Sequence, residues 1–154
     1  MNSKQLFDLV EKDHCLRRVV KGVYASNTLP KRVHHYPSAF IVNNQPLPLS
    51  GEHWLAIIIH NPYQSEFFDS LGKPLSTYNQ DIRDFIANNS NQCDTRNTRL
   101  QSINSNLCGH YVLMFLIVRL SVKKSLTQLY NLFSDDYQSN DHFVQNFVCR
   151  YFFN

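Results

Sequence analysis

The sequence lacks any pair of cysteines at the spacing of a metal site or a disulfide framework. No CxxC motif joins its four cysteines, which are Cys15, Cys93, Cys108 and Cys149. This spacing favours neither a zinc finger nor a disulfide scaffold, and a reducing intracellular compartment is the environment that suits such thiols. His34 and His35 are adjacent, but no third ligand follows at a suitable spacing, so we expect no metal.

Long apolar runs and strong charge of one sign are also lacking. The main apolar run covers residues 111–120 and is too short to span a bilayer. The N-terminal Met-Asn-Ser-Lys-Gln has no apolar signal-peptide core, so we expect a soluble protein with no membrane partner. The net charge of +3 permits contact with nucleic acid without requiring it. With 154 residues and 43% hydrophobic content, we expect a monomer with a single folded domain over 1–154.

The residues around Cys108 carry the strongest chemical signal. Cys108 and Gly109 precede the apolar run, which contains no Pro or Gly and predicts a helix buried nearly all round. At the N-terminus of that helix, the macrodipole and unpaired backbone N–H groups stabilise a thiolate and lower the pKa of the thiol. Gly109 leaves room for backbone N–H groups to approach an oxyanion, and Gln101 could add an amide donor. Most cysteines at the start of a core helix are inert, so a nucleophile also requires a base and an acid nearby.

Residues 38–69 predict three strands, of which the last two form a hairpin. Ser38–Asn43 is the first. His53–Ile59 is β-branched and apolar on both faces, which predicts a central strand covered on both sides. Turn residues at 61–64 separate this strand from its partner, Glu66–Asp69.

The hairpin predicts a meeting between His53 and Asp69. Opposed residues of an antiparallel pair have a constant sum of residue numbers, and a turn near Asn61 or Pro62 makes that sum about 122 to 124. His53 and Asp69 give 122, so they are opposite or diagonal neighbours with Cβ atoms roughly 5 to 8 Å apart. A sum of 123 would place them on opposite faces.

These three side chains match the requirements of thiol catalysis. An imidazole within reach of the Cys108 sulfur holds the thiolate as an ion pair and later protonates the leaving amine. A carboxylate on the other ring nitrogen fixes the tautomer and orients the ring. The sequence therefore predicts Cys108 as nucleophile, His53 as base and Asp69 as orienting acid.

Helices are predicted on both sides of the hairpin. The predicted helix starts are Ser3, Ser76, Ser125 and Asn140 or Asp141. The first helix continues to about Cys15, the second covers 77–87, and the polar residues 88–97 predict a loop. Together the pattern predicts an α+β fold with a small mixed sheet, a central buried nucleophile helix and flanking helices.

Several segments of the chain match one family pattern. These are Gly22–Tyr24, Ala39–Asn43, Gly51–Ala56, Phe68–Gly72, and Gln101 placed seven positions before Cys108 and Gly109. Over most of the chain they resemble the adenovirus maturation proteases, the adenain family. Related enzymes are the proteases of Polinton (Maverick) transposons and, more distantly, the peptidases that cleave ubiquitin-like proteins such as SUMO. The resemblance implies the adenain-like cysteine proteinase fold.

The resemblance also implies roles for individual residues. His53 is the general base, Asp69 the acid that orients it, Gln101 the oxyanion-hole side chain and Cys108 the nucleophile. Trp54 would flank the substrate channel, although an aromatic in a central strand is by default core. The implied activity is endopeptidase cleavage, after Gly, of precursor or capsid proteins of a virus or virus-like transposon. The implied location is the host nucleus or the virion.

The chain departs from the adenovirus enzymes at the acid and in its shorter C-terminal part. Those enzymes usually carry Glu where this chain has Asp69, whereas SUMO proteases carry Asp. The chemistry needs no cofactor. In adenovirus, however, a viral peptide activates the protease through a disulfide, and DNA raises the activity of the enzyme. Cys93 lies where a pairing cysteine could sit, or it is a free surface thiol. Four basic residues could touch DNA or be ordinary surface charge: Lys31, Arg32, Arg96 and Arg99.

Other functions fit the same residues. A peptidase for a ubiquitin-like protein shares the constellation and would cleave a SUMO or ubiquitin fusion in preference to short peptides. A catalytically silent binding module would keep the fold but leave Cys108 unreactive. An acetyltransferase of related fold would require acetyl-CoA.

Overall fold

The computed structural model of the chain describes residues 1–49 and 51–154, and they form an α+β fold. The strands are β1 (Val20–Tyr24), β2 (Ser38–Asn43), β3 (Trp54–Asn61), β4 (Gln64–Phe68) and β5 (Gln92–Thr95). The helices are α1 (Ser3–Lys12), α2 (Leu16–Val19), α3 (Gln80–Asn89), α4 (Cys108–Leu116), α5 (Leu126–Tyr130) and α6 (Tyr137–Phe153). Within these residues, no helix is long and apolar enough to cross a membrane.

The five strands form one mixed sheet in the order β1-β2-β3-β4-β5. The two pairs around the centre, β2 with β3 and β3 with β4, are antiparallel, whereas the outer pairs are parallel. The predicted small mixed sheet is therefore confirmed, and β3 is its central strand.

Both faces of the sheet are buried, as the apolar sequence of β3 predicts. Ala56 and Ile58 point to the side covered by α1, α4 and α6, whereas Leu55, Ile57 and Ile59 point to the side covered by α3. Because side chains alternate along a strand, one continuous apolar strand supplies both cores.

Helix α4 is the centre of the larger core. Every residue from Tyr111 to Leu116 is buried, and the Phe115 ring stacks on Phe68 of β4 with ring centroids 4.5 Å apart. The helix continues into a π-helical turn, Ile117–Ser121. The prediction of a central helix buried nearly all round, with Cys108 at its N-terminus, is confirmed.

Two predicted helix boundaries near the N-terminus are wrong by a few residues. The N-cap of α1 is Asn2 and not Ser3, because Asn2 and Gln5 form a reciprocal capping box. The helix ends at Lys12 and not near Cys15. The Asp13 carboxylate accepts hydrogen bonds from the next backbone N–H groups and starts the short helix α2.

Two later helix starts also differ. Helix α3 is capped by Asn79 and not Ser76, since residues 75–77 form a separate 3₁₀ turn. Helix α6 starts after Asp136, whose carboxylate accepts from two backbone N–H groups, and not at 140 or 141. The first turn of α6 is polar, so the apolar residues at helical spacing begin later than the helix does and do not reveal its start. The cap of α5 by Ser125 is confirmed.

The predicted loop over 88–97 is wrong in its middle, because residues 92–95 form β5. This strand pairs in parallel with β4, with Gln92 beside Gln64 and Thr95 beside Phe67. A polar edge strand has no apolar alternation, since its stability comes from backbone pairing with a neighbour distant in sequence.

Candidate active site

His53 and Asp69 meet at the open end of the hairpin. The pairs Ala56–Phe68 and Ile58–Glu66 give a register sum of 124. Both catalytic candidates lie just beyond the strand ends and are diagonal neighbours on one face. His53 Nε2 lies 2.6 Å from Asp69 Oδ1, so the predicted geometry is confirmed.

The backbone of His53 is fixed by Asn44, at the end of β2. Asn44 Oδ1 accepts a hydrogen bond from His53 N at 3.0 Å, and Asn44 N donates to His53 O at 2.9 Å. The His53 residue is only 8% exposed. Asn44 therefore holds the backbone of His53, and Asp69 holds its imidazole.

The Asp69 carboxylate is buried and accepts four hydrogen bonds. Oδ1 accepts from His53 Nε2 and Leu71 N, and Oδ2 accepts from Tyr78 Oη at 2.5 Å and Lys73 N at 3.0 Å. Burial alone would raise the pKa of Asp69, but the bond and charge of His53, with the bond from Tyr78, lower it below its usual range. The group therefore stays ionised beside the imidazole.

The surroundings of the Cys108 thiol favour its ionised form. Leu107, which precedes α4, provides no side-chain cap, so the first-turn N–H groups of the helix are open to an anion. Burial disfavours the thiolate. Hydrogen bonds from His53 and from the backbone of Trp54 and Gly109 outweigh burial and lower the pKa of Cys108 below its ordinary value.

The pKa of His53 is shifted in the opposite direction, upwards. Burial would lower the pKa of His53, but hydrogen bonds to Asp69 and Cys108 raise it to about 9. Because Nε2 contacts Asp69, Nδ1 is the ring nitrogen left for the sulfur. A depressed thiol pKa next to a raised imidazole pKa favours a thiolate–imidazolium pair at neutral pH.

Gln101 lies in the same cleft as Cys108 and is 2% exposed. Its Oε1 accepts from Ser70 Oγ at 2.6 Å, and its Nε2 donates to Ser105 O at 2.9 Å and, more weakly, towards Ser105 Oγ at 3.4 Å. The amide orientation is thus fixed by Ser70. An oxyanion would have to displace the weaker Ser105 Oγ contact, so the oxyanion role of Gln101 stays a prediction.

Trp54 and Gly109 both contact the N-terminal residue of the chain. Trp54 is half-buried, and its indole Nε1 donates to Met1 O at 2.9 Å. A Cβ on Gly109 would lie 3.2 Å from Met1 Cβ and 3.4 Å from Leu6, so the glycine allows this close packing. Met1 therefore forms part of the wall beside the nucleophile.

An open cleft of about 820 Å³ is lined by Met1, His53, Trp54, Gln101 and Cys108, whereas Asp69 lies buried behind His53. Exposed apolar side chains line it on both sides, Leu47 and Leu49 from one loop and Ile103 from another. Its charged members besides the candidate pair are Glu52 and Lys73. The volume lies within the range of about 300 to 1,000 Å³ that is typical of ligand-binding clefts.

No protein-family model matches this chain, and no curated protein matches it. The arrangement of the cleft therefore carries the functional argument.

The four basic residues predicted as DNA contacts belong to two segments of the chain, Lys31 with Arg32 and Arg96 with Arg99. Arg32 bonds to the backbone at the end of α3. Arg96 lies over the Tyr130 ring, 5.5 Å from its centroid. Arg99 lies over the Tyr137 ring at 4.1 Å. Arg32, Arg96 and Arg99 are thus each engaged within the fold, and the DNA contact stays a prediction.

Cys93 lies in the edge strand β5 and is partly buried, rather than at the surface. Burial raises the pKa of its thiol, which makes it less reactive than Cys108. Among the described residues, no group of three His, Cys, Asp or Glu side chains could hold a metal.

Sequence reasoning missed two residues that support the site, Asn44 and Tyr78. Asn44 holds the backbone of His53, and Tyr78 donates to Asp69. Each lies in an irregular segment next to a strand or helix, where no periodic pattern marks it. Polar residues directly after a strand are the one available signal, and it applies to Asn44 alone.

Proposed function

We propose that the chain is a cysteine endopeptidase of the adenain-like kind, with Cys108, His53 and Asp69 as its triad. The observation that carries the proposal is that Cys108 and His53 line one open cleft and that Asp69 is buried behind the imidazole. A thiol with a lowered pKa lies at an uncapped helix N-terminus, beside an imidazole that is hydrogen-bonded to a buried carboxylate.

The reaction has two halves. The Cys108 thiolate attacks the carbonyl carbon of the scissile peptide bond, forming a C–S bond and a tetrahedral oxyanion. Collapse breaks the C–N bond, and the His53 imidazolium gives its proton to the leaving amine. Water then attacks the thioester and gives a proton to the neutral His53. The C–S bond breaks, the carboxylic product leaves, and the thiolate–imidazolium pair is restored.

Two residues assist without changing covalently. Asp69 keeps the imidazole oriented with Nδ1 towards the sulfur and stabilises its charged form. Gln101 and the backbone N–H groups at the start of α4 are the proposed donors to the oxyanion. The substrates, by the family resemblance, are precursor proteins of a virus or virus-like transposon cleaved after Gly.

The test is hydrolysis of a Gly-terminated fluorogenic peptide by the wild-type chain, Cys108→Ala and Cys149→Ala. Cys149 is an exposed thiol on α6, outside the cleft, and so is a matched control. We expect Cys108→Ala to lose at least about 1,000-fold in kcat/KM and Cys149→Ala to match the wild type. An unchanged rate in Cys108→Ala would overturn the nucleophile assignment.

Two further arms separate the competing functions. Cleavage of a SUMO or ubiquitin fusion in preference to the short peptide would point to a peptidase for ubiquitin-like proteins. A Cys108 that reacts with iodoacetamide no faster than Cys149 at neutral pH would point to a silent binding module.

A further inference from the structure

Tyr78 is a buried tyrosine that none of the predicted roles uses. It follows the 3₁₀ turn at 75–77 and is 8% exposed. Its ring packs edge-on against Phe67 of β4, with centroids 5.5 Å apart, and its backbone carbonyl accepts from Arg83 Nε at 3.0 Å. The ring and backbone are therefore fixed, and the hydroxyl points to one place, Asp69.

The hydroxyl completes the set of donors around Asp69. Each carboxylate oxygen accepts one backbone N–H, from Leu71 on Oδ1 and from Lys73 on Oδ2. His53 adds a second donor to Oδ1 and Tyr78 adds a second to Oδ2. Among the described residues Tyr78 is the one side-chain donor on Oδ2. Without its hydroxyl, the carboxylate keeps a single bond on that oxygen and can rotate away from the imidazole.

Asn79, the residue after Tyr78, is linked to His53, the partner of Asp69, through Asn44. Asn79 Nδ2 donates to Asn44 O at 3.3 Å, and Asn44 holds the backbone of His53. Asn79 Oδ1 also accepts from Ile82 N and so caps α3. The Tyr78–Asn79 dipeptide thus contacts both the carboxylate and the segment that carries the imidazole, and α3 anchors it.

We infer that Tyr78 is a positioning residue for the catalytic pair, because its hydroxyl holds the Asp69 carboxylate in the orientation that presents Oδ1 to His53. The inference rests on the proposed function. A hydrogen bond to an ionised group in a buried site is one of the stronger kinds, so its loss has a measurable effect. The direction of the Tyr78 pKa, raised by burial and then by its bond to Asp69, agrees with a hydroxyl that donates to a carboxylate.

The test compares Tyr78→Phe with Tyr151→Phe. Tyr151 also donates to a carboxylate, that of Asp13, but outside the cleft. Each variant keeps its ring and loses one tyrosine-to-aspartate bond, so the pair is matched in the kind of interaction lost. Three quantities are measured: kcat and KM on the fluorogenic peptide, the pH dependence of Cys108 alkylation by iodoacetamide mapped by mass spectrometry, and the NMR shift of the His53 Nε2 proton.

We expect Tyr78→Phe to lower kcat about 10- to 100-fold, with KM unchanged. The alkylation profile of Cys108 should shift to higher pH, because a misoriented imidazole holds the thiolate less well. The Nε2 proton resonance should move, and Tyr151→Phe should change none of these. In an Asp69→Ala background, Tyr78→Phe should have no further effect, since the two residues act as one unit.

The possible results distinguish a wrong role for Tyr78 from a wrong protease assignment. If the wild type cleaves peptide and Tyr78→Phe behaves as Tyr151→Phe does, the inference is wrong and the protease proposal stands. If KM alone rises, Tyr78 is a substrate contact and the positioning role is wrong. If no peptide is cleaved but the alkylation profile and proton resonance shift, the positioning role stands and the protease proposal fails.

Discussion

His53 Nε2 lies 2.6 Å from Asp69 Oδ1, although neither residue belongs to a strand. His53 directly precedes β3 and Asp69 directly follows β4, and the hairpin register places them on the same face. This contact fixes the tautomer of the imidazole and leaves Nδ1 for Cys108.

Replacing Asp69 with Asn removes the negative charge behind the imidazole and keeps the shape of the side chain. We expect kcat to fall roughly 100- to 10,000-fold, because the tautomer and charge of His53 are no longer supported. The pKa of His53, measured by NMR titration, should fall from about 9 towards its ordinary value of 6.5. Asp8→Asn, a change at an exposed surface pair, is the control. Equal kinetics in both variants would contradict an orienting role for Asp69.

The pH dependence of kcat/KM should be bell-shaped. The acidic limb reports ionisation of Cys108, whose pKa is lowered, so activity should appear below pH 9.0, the ordinary pKa of a thiol. The basic limb reports loss of the His53 proton and should fall near pH 9. Activity that keeps rising above that pH would show that the imidazolium is not required. The measurement is a steady-state profile from pH 4 to about 10.5 in buffers of constant ionic strength.

Replacing Gln101 with Glu tests the oxyanion donor. The carboxylate can still accept from Ser70, but it offers no N–H to Ser105 or to an oxyanion. We expect kcat to fall roughly 100- to 1,000-fold, as it does when one oxyanion donor is lost, with a smaller change in KM. Ser70→Ala removes the hydrogen bond to Gln101 Oε1 but keeps the Gln101 amide, so we expect a smaller fall in kcat. If Gln101→Glu kept the wild-type kcat, Gln101 would not be an oxyanion donor, and the backbone N–H groups at the start of α4 would be the only proposed donors that remain.

Glu66 and Arg119 form a buried ion pair away from the cleft. Arg119 makes two bonds of 2.7 Å to the Glu66 carboxylate, whose side chain is 3% exposed, and His60 also contacts it. Arg119→Met should lower the free energy of unfolding by about 3 kcal/mol, because the Glu66 charge loses its main partner. Urea denaturation measures this difference.

The matched control for that pair lies at the surface. Lys4→Ala breaks the exposed contact with Asp8 and should cost less than about 1 kcal/mol. Equal costs for Arg119→Met and Lys4→Ala would mean that burial does not strengthen the Glu66 pair. Neither variant should alter the alkylation profile of Cys108.

The position of the nucleophile and its base could be predicted because both depend on local patterns. The apolar run after Gly109 predicts a helix with Cys108 at its N-terminus, and the alternation of the hairpin limits where His53 and Asp69 can lie. The prediction used the two repeats of side-chain direction, 3.6 residues in a helix and 2 in a strand, together with the position of the hairpin turn. Capping failed as a guide where a nearby turn offered a competing polar residue, as at Ser76 and Asn79.

The sequence by itself determined the central strand β3 and the buried helix α4, and it limited the hairpin to a few registers, of which the structure adopts one that brings His53 to Asp69. Only the tertiary structure decided that residues 92–95 form an edge strand and that Tyr78 reaches Asp69. It also decided that Ser70 orients Gln101 across 31 positions of chain. The reason is physical. Periodicity records which face of an element is buried, whereas a single hydrogen bond between distant segments leaves no repeating mark in either one.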